Sequence, residues 1–136
     1  MAQLGREWLT KALHDLQTAR ITAGAVDGPL DTAIYHCQQA AEKALKGWLS
    51  SNNLSFEKTH DIRRLIRQAA GASAGFSRFT TAAEVLTPYV SAFRYPGLTD
   101  QSMPTREEFE EALRHAQAIF DFVLKLLPTE THPRTG

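Results

Sequence analysis

Three short groups of residues carry side chains able to do chemistry. His36, Gln39, Lys43 and Lys46 follow one another at spacings of three, four and three. On a helix that spacing makes one polar stripe, placed here opposite the apolar residues. An imidazole, an amide and two ammonium groups in a row suit a phosphate or a partner's carboxylates. Gln38 and Glu42 border the stripe. The second group is Thr59-His60-Asp61, where Thr59 reads as a helix N-cap and Asp61 complements the positive end of the helix dipole. The third is Arg94-Tyr95-Pro96, an arginine at a helix end followed by a stop signal.

Other chemistries find no support. Glu111 and His115 are four apart, not the three of the Glu-x-x-His pattern of di-iron bundles. The run Gly71 to Gly75 lacks the lysine and the strand of a phosphate loop. No nucleophile elbow is present. The single cysteine, Cys37, excludes an intramolecular disulfide framework and a cysteine-based zinc cluster. The residues suggest no catalytic group, metal site or cofactor.

Charge is informative by position. Fifteen Lys and Arg balance fifteen Asp and Glu, so nucleic acid is not drawn by the net charge of the whole. Between His36 and Arg67, however, six basic residues face three acidic ones, whereas the last helix begins with Glu107, Glu108, Glu110 and Glu111.

The elements that must position these groups are all helical, because apolar residues recur at helical spacing and no alternating segment appears. Trp8, Leu9, Ala12, Leu13, Leu16, Ala19 and Ala23 mark a first helix that ends near Gly24. Asp27-Gly28-Pro29 is a turn signal. A second helix over about Leu30 to Ser51 buries Ile34, Cys37, Ala41, Ala44, Leu45 and Trp48. A short third helix starts at Thr59, and a fourth is expected from Ser77 to Phe93, kinked or broken at Pro88. The capping box Thr105 to Glu108 opens a last helix that runs to Leu127. Trp8 and Trp48 lie on apolar stripes and are expected to be buried. With 136 residues the chain suits one domain. The expected fold is all-α, an up-and-down bundle of four long helices plus one short helix over residues 1–128, with a disordered tail over 129–136. No apolar run is long enough to span a membrane and no secretory signal is present, so the expected setting is cytoplasmic.

Tyr35-His36-Cys37-Gln38-Gln39-Ala40-Ala41-Glu42-Lys43-Ala44-Leu45-Lys46, then Thr59-His60-Asp61-Ile62, then Arg94-Tyr95-Pro96, resembles the HEPN family (higher eukaryotes and prokaryotes nucleotide-binding). The resemblance covers Leu4 to Leu127 and is of the type associated with minimal nucleotidyltransferases. It implies a helical bundle, a homodimer, and a nucleotidyltransferase partner in a toxin–antitoxin pair. Active ribonucleases of the family carry an Arg followed, after four to six residues, by a His. The matching arginine here is Arg94, yet Thr99, Asp100 and Gln101 occupy the histidine's place, and Tyr95 replaces the polar residue often found after the arginine. The expected function is therefore binding of a nucleotide, RNA or a nucleotidyltransferase through His36, Gln39, Lys43, Lys46, His60, Arg94 and Tyr95. The alternatives are a ribonuclease toxin using His36 or His60 with Arg94, and a purely structural dimerisation module.

Overall fold

The structure, a computed structural model, describes residues 2–134. Five α-helices follow in order: α1 (Ala2–Gly24), α2 (Leu30–Ser51), α3 (Ile62–Ala72), α4 (Thr80–Leu86) and α5 (Arg106–Leu126). Short 3-10 turns precede α4 (Ala74–Phe79), follow it (Thr87–Val90) and close the chain (Thr129–Thr131). No strand occurs among the described residues.

The all-helical class and the five helices agree with the sequence reading, but α4 is shorter than expected. Pro88 sits in the first turn of the 3-10 segment Thr87–Val90, where its missing N–H costs nothing, and the α-helical ladder stops at Leu86. The cap of α3 also moves. Asp61, not Thr59, is the N-cap and accepts from the Arg63 N–H, while the Thr59 hydroxyl accepts from the Asp61 N–H at 3.0 Å. The Thr105–Glu108 capping box forms in both directions, at 3.0 and 2.8 Å.

Helix α2 is the centre of the molecule, packed by α1, α3, α5 and the Thr87–Val90 turn. Its apolar face places Ile34, Cys37, Ala41, Ala44, Leu45 and Trp48 in a core shared with Leu9, Leu16, Ile62, Leu65, Phe76, Leu86, Ile119 and Val123. The α1–α2 seam is built from small residues, so the two backbones lie close. A Cβ on Gly47 would meet the Leu9 side chain at 3.0 Å. Trp48 is buried against Phe76, with ring centroids 4.7 Å apart. Trp8 is only half-buried, because its neighbour across the seam is the 52–61 connection rather than the core, and Phe56 meets it edge-on at 6.2 Å.

Residues 129–134 form a segment laid back on the bundle. Thr131 is buried, Arg6 donates to the Glu130 carbonyl, and His132 Nε2 donates to the Leu124 and Leu127 carbonyls at 2.7 and 3.0 Å. The two His132 bonds go to carbonyls at the C-terminal end of α5, where the Leu124 oxygen also accepts from the Leu127 N–H. Thr135 and Gly136 lie outside the described residues.

Candidate functional site

The polar stripe of α2 does not face open solvent. It lies in a trough between α1 and the 52–61 connection, so Gln39 and Lys46 are 7% and 6% exposed. Turns of α2 along the trough meet different neighbours, and the residues named from sequence separate into three linked clusters.

Toward α1 the partner is Asp15, itself buried. Its two oxygens accept separately, Oδ1 from His36 Nδ1 at 2.7 Å and Oδ2 from Lys43 Nζ at 2.8 Å. A carboxylate offers only lone pairs, so the His36 proton facing it sits on Nδ1 and Nε2 is left for other partners.

Toward α3 the partner is Glu42, 3% exposed. Oε1 accepts from His60 Nδ1 at 2.9 Å and from Gln38 Nε2 at 3.2 Å, and Oε2 accepts from Lys46 Nζ at 2.9 Å. The Gln38 amide also donates to the His60 carbonyl at 2.9 Å, and Gln39 donates to the Gln38 oxygen at 2.6 Å. The Lys46 ammonium lies 5.6 Å from the Trp8 ring and 5.9 Å from Phe56. A lysine can be buried here because a carboxylate neutralises it and two aromatic faces replace part of its hydration.

At the start of α2 the surroundings change. Arg94 follows the Thr87–Val90 turn, donates through Nη1 to the Val90 carbonyl at 3.1 Å, and lays its guanidinium 4.1 Å from the Tyr35 ring and 5.5 Å from Tyr95. Among the described residues no carboxylate pairs with it. Arg94 and Tyr95 are exposed, and Arg94, Tyr35, His36, Thr32 and Asp31 line a cleft of about 360 Å³. Tyr95 borders a second hollow that also reaches Asp31 and Arg94.

The structure thus brings His36 and Arg94 to one cleft and leaves His60 outside it, over Glu42 with 67% of its side chain exposed. Sequence reading missed Asp15. The available signal was an acid between Ala12, Leu16 and Ala19, in the register that α1 turns inward. Glu42 was seen only as a border to the stripe, yet it is the acceptor at the middle of its network. Burial pushes the Cys37 thiol up to about 12, which makes it an inert core residue. Among the described residues no group of three or more His, Cys, Asp or Glu could hold a metal ion, and no helix is long and apolar enough to cross a membrane.

Comparison with known proteins agrees with this fold. The HEPN domain family model matches residues 6–126. The crystal structure of TT1696 from Thermus thermophilus superimposes with a TM-score of 0.82 at 34% identity, covering 90% of this chain and 98% of that one. That of ST0689, an archaeal HEPN homologue, gives 0.72 at 24% identity, covering 90% and 96%, and shares the fold. No curated protein matches the chain in sequence.

Proposed function

The chain belongs to the HEPN domain family, and from that premise we propose that it is a binding member of it, taking the phosphate of a nucleotide or RNA on Arg94 without cleaving it. One observation carries this reading: Arg94 is an exposed guanidinium with no carboxylate partner among the described residues, on a cleft walled by Tyr35 and His36. Guanidinium is the side chain best shaped for phosphate, and the Tyr35 ring behind it orders the fork before a ligand arrives. Tyr95 supplies a face for a base, and His36 Nε2 a hydrogen bond. Lys43 and Lys46, with charges already answered by Asp15 and Glu42, serve as framework for that site, as do Gln39 and His60.

The proposal includes a cytoplasmic homodimer and a minimal nucleotidyltransferase as its partner in a toxin–antitoxin pair, as the family resemblance suggests. Sedimentation at micromolar concentration is expected to show twice 15.1 kDa. A strictly monomeric species would remove the dimer from the reading.

The test of the phosphate site is affinity for single-stranded RNA across a salt series. Arg94→Ala should weaken binding roughly tenfold at low salt, because a charge-assisted contact to phosphate is lost. Unchanged affinity would return Arg94 to a structural helix-end role. Cleavage should be slow at most, since no histidine stands at 99–101 and general acid–base help is worth about 10²–10⁴-fold.

A second reading, an RNA-cleaving enzyme, is favoured by one observation: the 2.7 Å Asp15–His36 contact on the cleft that Arg94 lines. An imidazole held on Nδ1 by a carboxylate presents Nε2 to accept the proton of an RNA 2′-hydroxyl, while Arg94 answers charge on the phosphate. Robust cleavage abolished by His36→Ala but not by His60→Ala would establish this reading in place of the first.

A further inference from the structure

A second cleft lies between the 55–59 segment and α3. It encloses about 700 Å³ and is lined by Phe56, Thr59, Arg64, Arg67 and Gln68 among others. Over residues 55–68 the sequence carries Lys58, Arg63, Arg64 and Arg67 against Glu57 and Asp61, so a neutral molecule is locally basic here. The pairing is uneven. Arg63 bonds Asp61 at 3.1 Å and Arg64 bonds Glu57 at 2.9 Å, while Arg67, exposed on α3, has no carboxylate partner among the described residues. The Thr59 hydroxyl spends its oxygen on the Asp61 N–H and keeps its own proton to donate. Phe56 adds a half-buried aromatic ring. Cation, hydroxyl donor and aromatic surface together are what a nucleotide unit of a single strand uses.

This cleft is tied to the first one through α2. Gln38 and Glu42 hold His60, at 2.9 Å each, next to Thr59 of the second cleft, and His36 of the first cleft precedes Glu42 on the same helix. From His36, which lines the first cleft, to Glu42, which holds His60 beside the second, the helix rises roughly 9 Å along its axis. The exposed His60 imidazole stands beside that path. A mononucleotide could occupy only one of the two clefts.

We propose that the cleft of Arg67, Arg64, Thr59 and Phe56 is a second anchoring site for single-stranded RNA, so that the ligand is a strand running from Arg94 to α3 rather than a free nucleotide. This rests on the phosphate reading of Arg94, and the test separates the two. The probes are an oligouridine of about ten nucleotides, the usual site size for a single-strand groove, and uridine monophosphate. Arg67→Ala should weaken oligouridine binding roughly three- to tenfold and flatten its salt slope by about 0.7, the share of one phosphate on a single strand. It should leave uridine monophosphate affinity unchanged, whereas Arg94→Ala weakens both probes. Arg67 is exposed, so its variant should melt as the wild type does.

Oligouridine affinity untouched by Arg67→Ala but lowered by Arg94→Ala would overturn the second site and leave the first standing. Affinity for both probes untouched by Arg94→Ala would overturn the first reading and this inference with it. Competition by polyglutamate as effective as oligouridine of equal charge would overturn the assignment to RNA and point to an acidic protein segment.

Discussion

The two ends of one helix face treat their cations in opposite ways. Near the end of α2, Lys46 is enclosed by Trp8 and Phe56 and neutralised by Glu42. Near its start, Arg94 lies on the Tyr35 ring with its outer edge in solvent and no acid opposite. His36 and Lys43 stand between these extremes, each bound to Asp15 with about a quarter of its side chain exposed. All four side chains are basic, but their neighbours differ. A cation whose charge is already answered inside the fold contributes to rigidity. One left unanswered at a cleft is available to a ligand.

The largest effect expected from that difference is on stability. Lys46→Ala should cost about 3 kcal/mol, because it strands the Glu42 carboxylate in a buried site. A paired change of Lys46→Met with Glu42→Leu should recover much of that loss, since neither charge then needs a partner. Trp48→Ala, a cavity in the core beside Phe76, gives the scale at about 3–5 kcal/mol. Chemical denaturation measures all three. A Lys46→Ala cost below about 1 kcal/mol, the level of exposed pairs, would erase the contrast between the two ends.

A smaller loss is expected from Asp15→Asn, about 1–2 kcal/mol, because Lys43 and His36 can still reach water. The sharper readout is the ring of His36. With the carboxylate gone, nitrogen NMR should show the His36 ring no longer held with a proton fixed on Nδ1. An unchanged tautomer would mean that Asp15 does not orient the imidazole.

Much of this frame was legible in the sequence. The five helices, the capping box at Thr105 and the break at Pro88 all follow from local rules about caps, period and proline, and those rules act within a few residues. The stripe of His36, Gln39, Lys43 and Lys46 was legible as a stripe but not as a trough. Its burial depends on Trp8 and Asp15 from α1 and on Phe56 and His60 from the connection, and helical spacing within α2 carries no information about either. The same limit hid Asp15, which looks like any helix acid until the Lys43 ammonium is seen 2.8 Å away. The juxtaposition of Arg94 with Tyr35, residues 59 positions apart in the chain, is likewise a product of packing rather than pattern.

Two titrations sharpen the contrast between the core face of α2 and its surroundings. Burial raises the folded Cys37 thiol from 9.0 to about 12, so its contribution to stability is full below pH 9 and is lost as pH rises toward 12. Native protein should resist thiol alkylation at pH 8, and denatured protein should react fully. Rapid labelling of the native state would show that the α2 core face opens readily. Asp61 moves the other way. The hydrogen bond from Arg63 holds its carboxyl below 3.8, so the stability it lends α3 is present above that pH and fades as pH falls through the lowered value. Asp61→Asn should flatten the acid limb of the melting curve, and an unaltered limb would remove the cap from the account.

The smallest effect on stability should come from the residue with the greatest effect on binding. Arg94 makes one hydrogen bond to the Val90 carbonyl and stacks on a half-buried tyrosine, and its charge remains in solvent. Arg94→Ala should therefore change unfolding free energy by no more than about 0.5 kcal/mol, the usual range for exposed substitutions. Arg94→Lys separates the two contributions further. A lysine keeps the charge but loses the planar fork and its stacking on Tyr35, so RNA affinity should fall between wild type and Arg94→Ala. The melting temperature should stay with both. Should Arg94→Ala instead lower stability as much as Lys46→Ala, the guanidinium would be a structural clamp on the Thr87–Val90 turn. The open end of α2 would then be no more available to a ligand than the closed one.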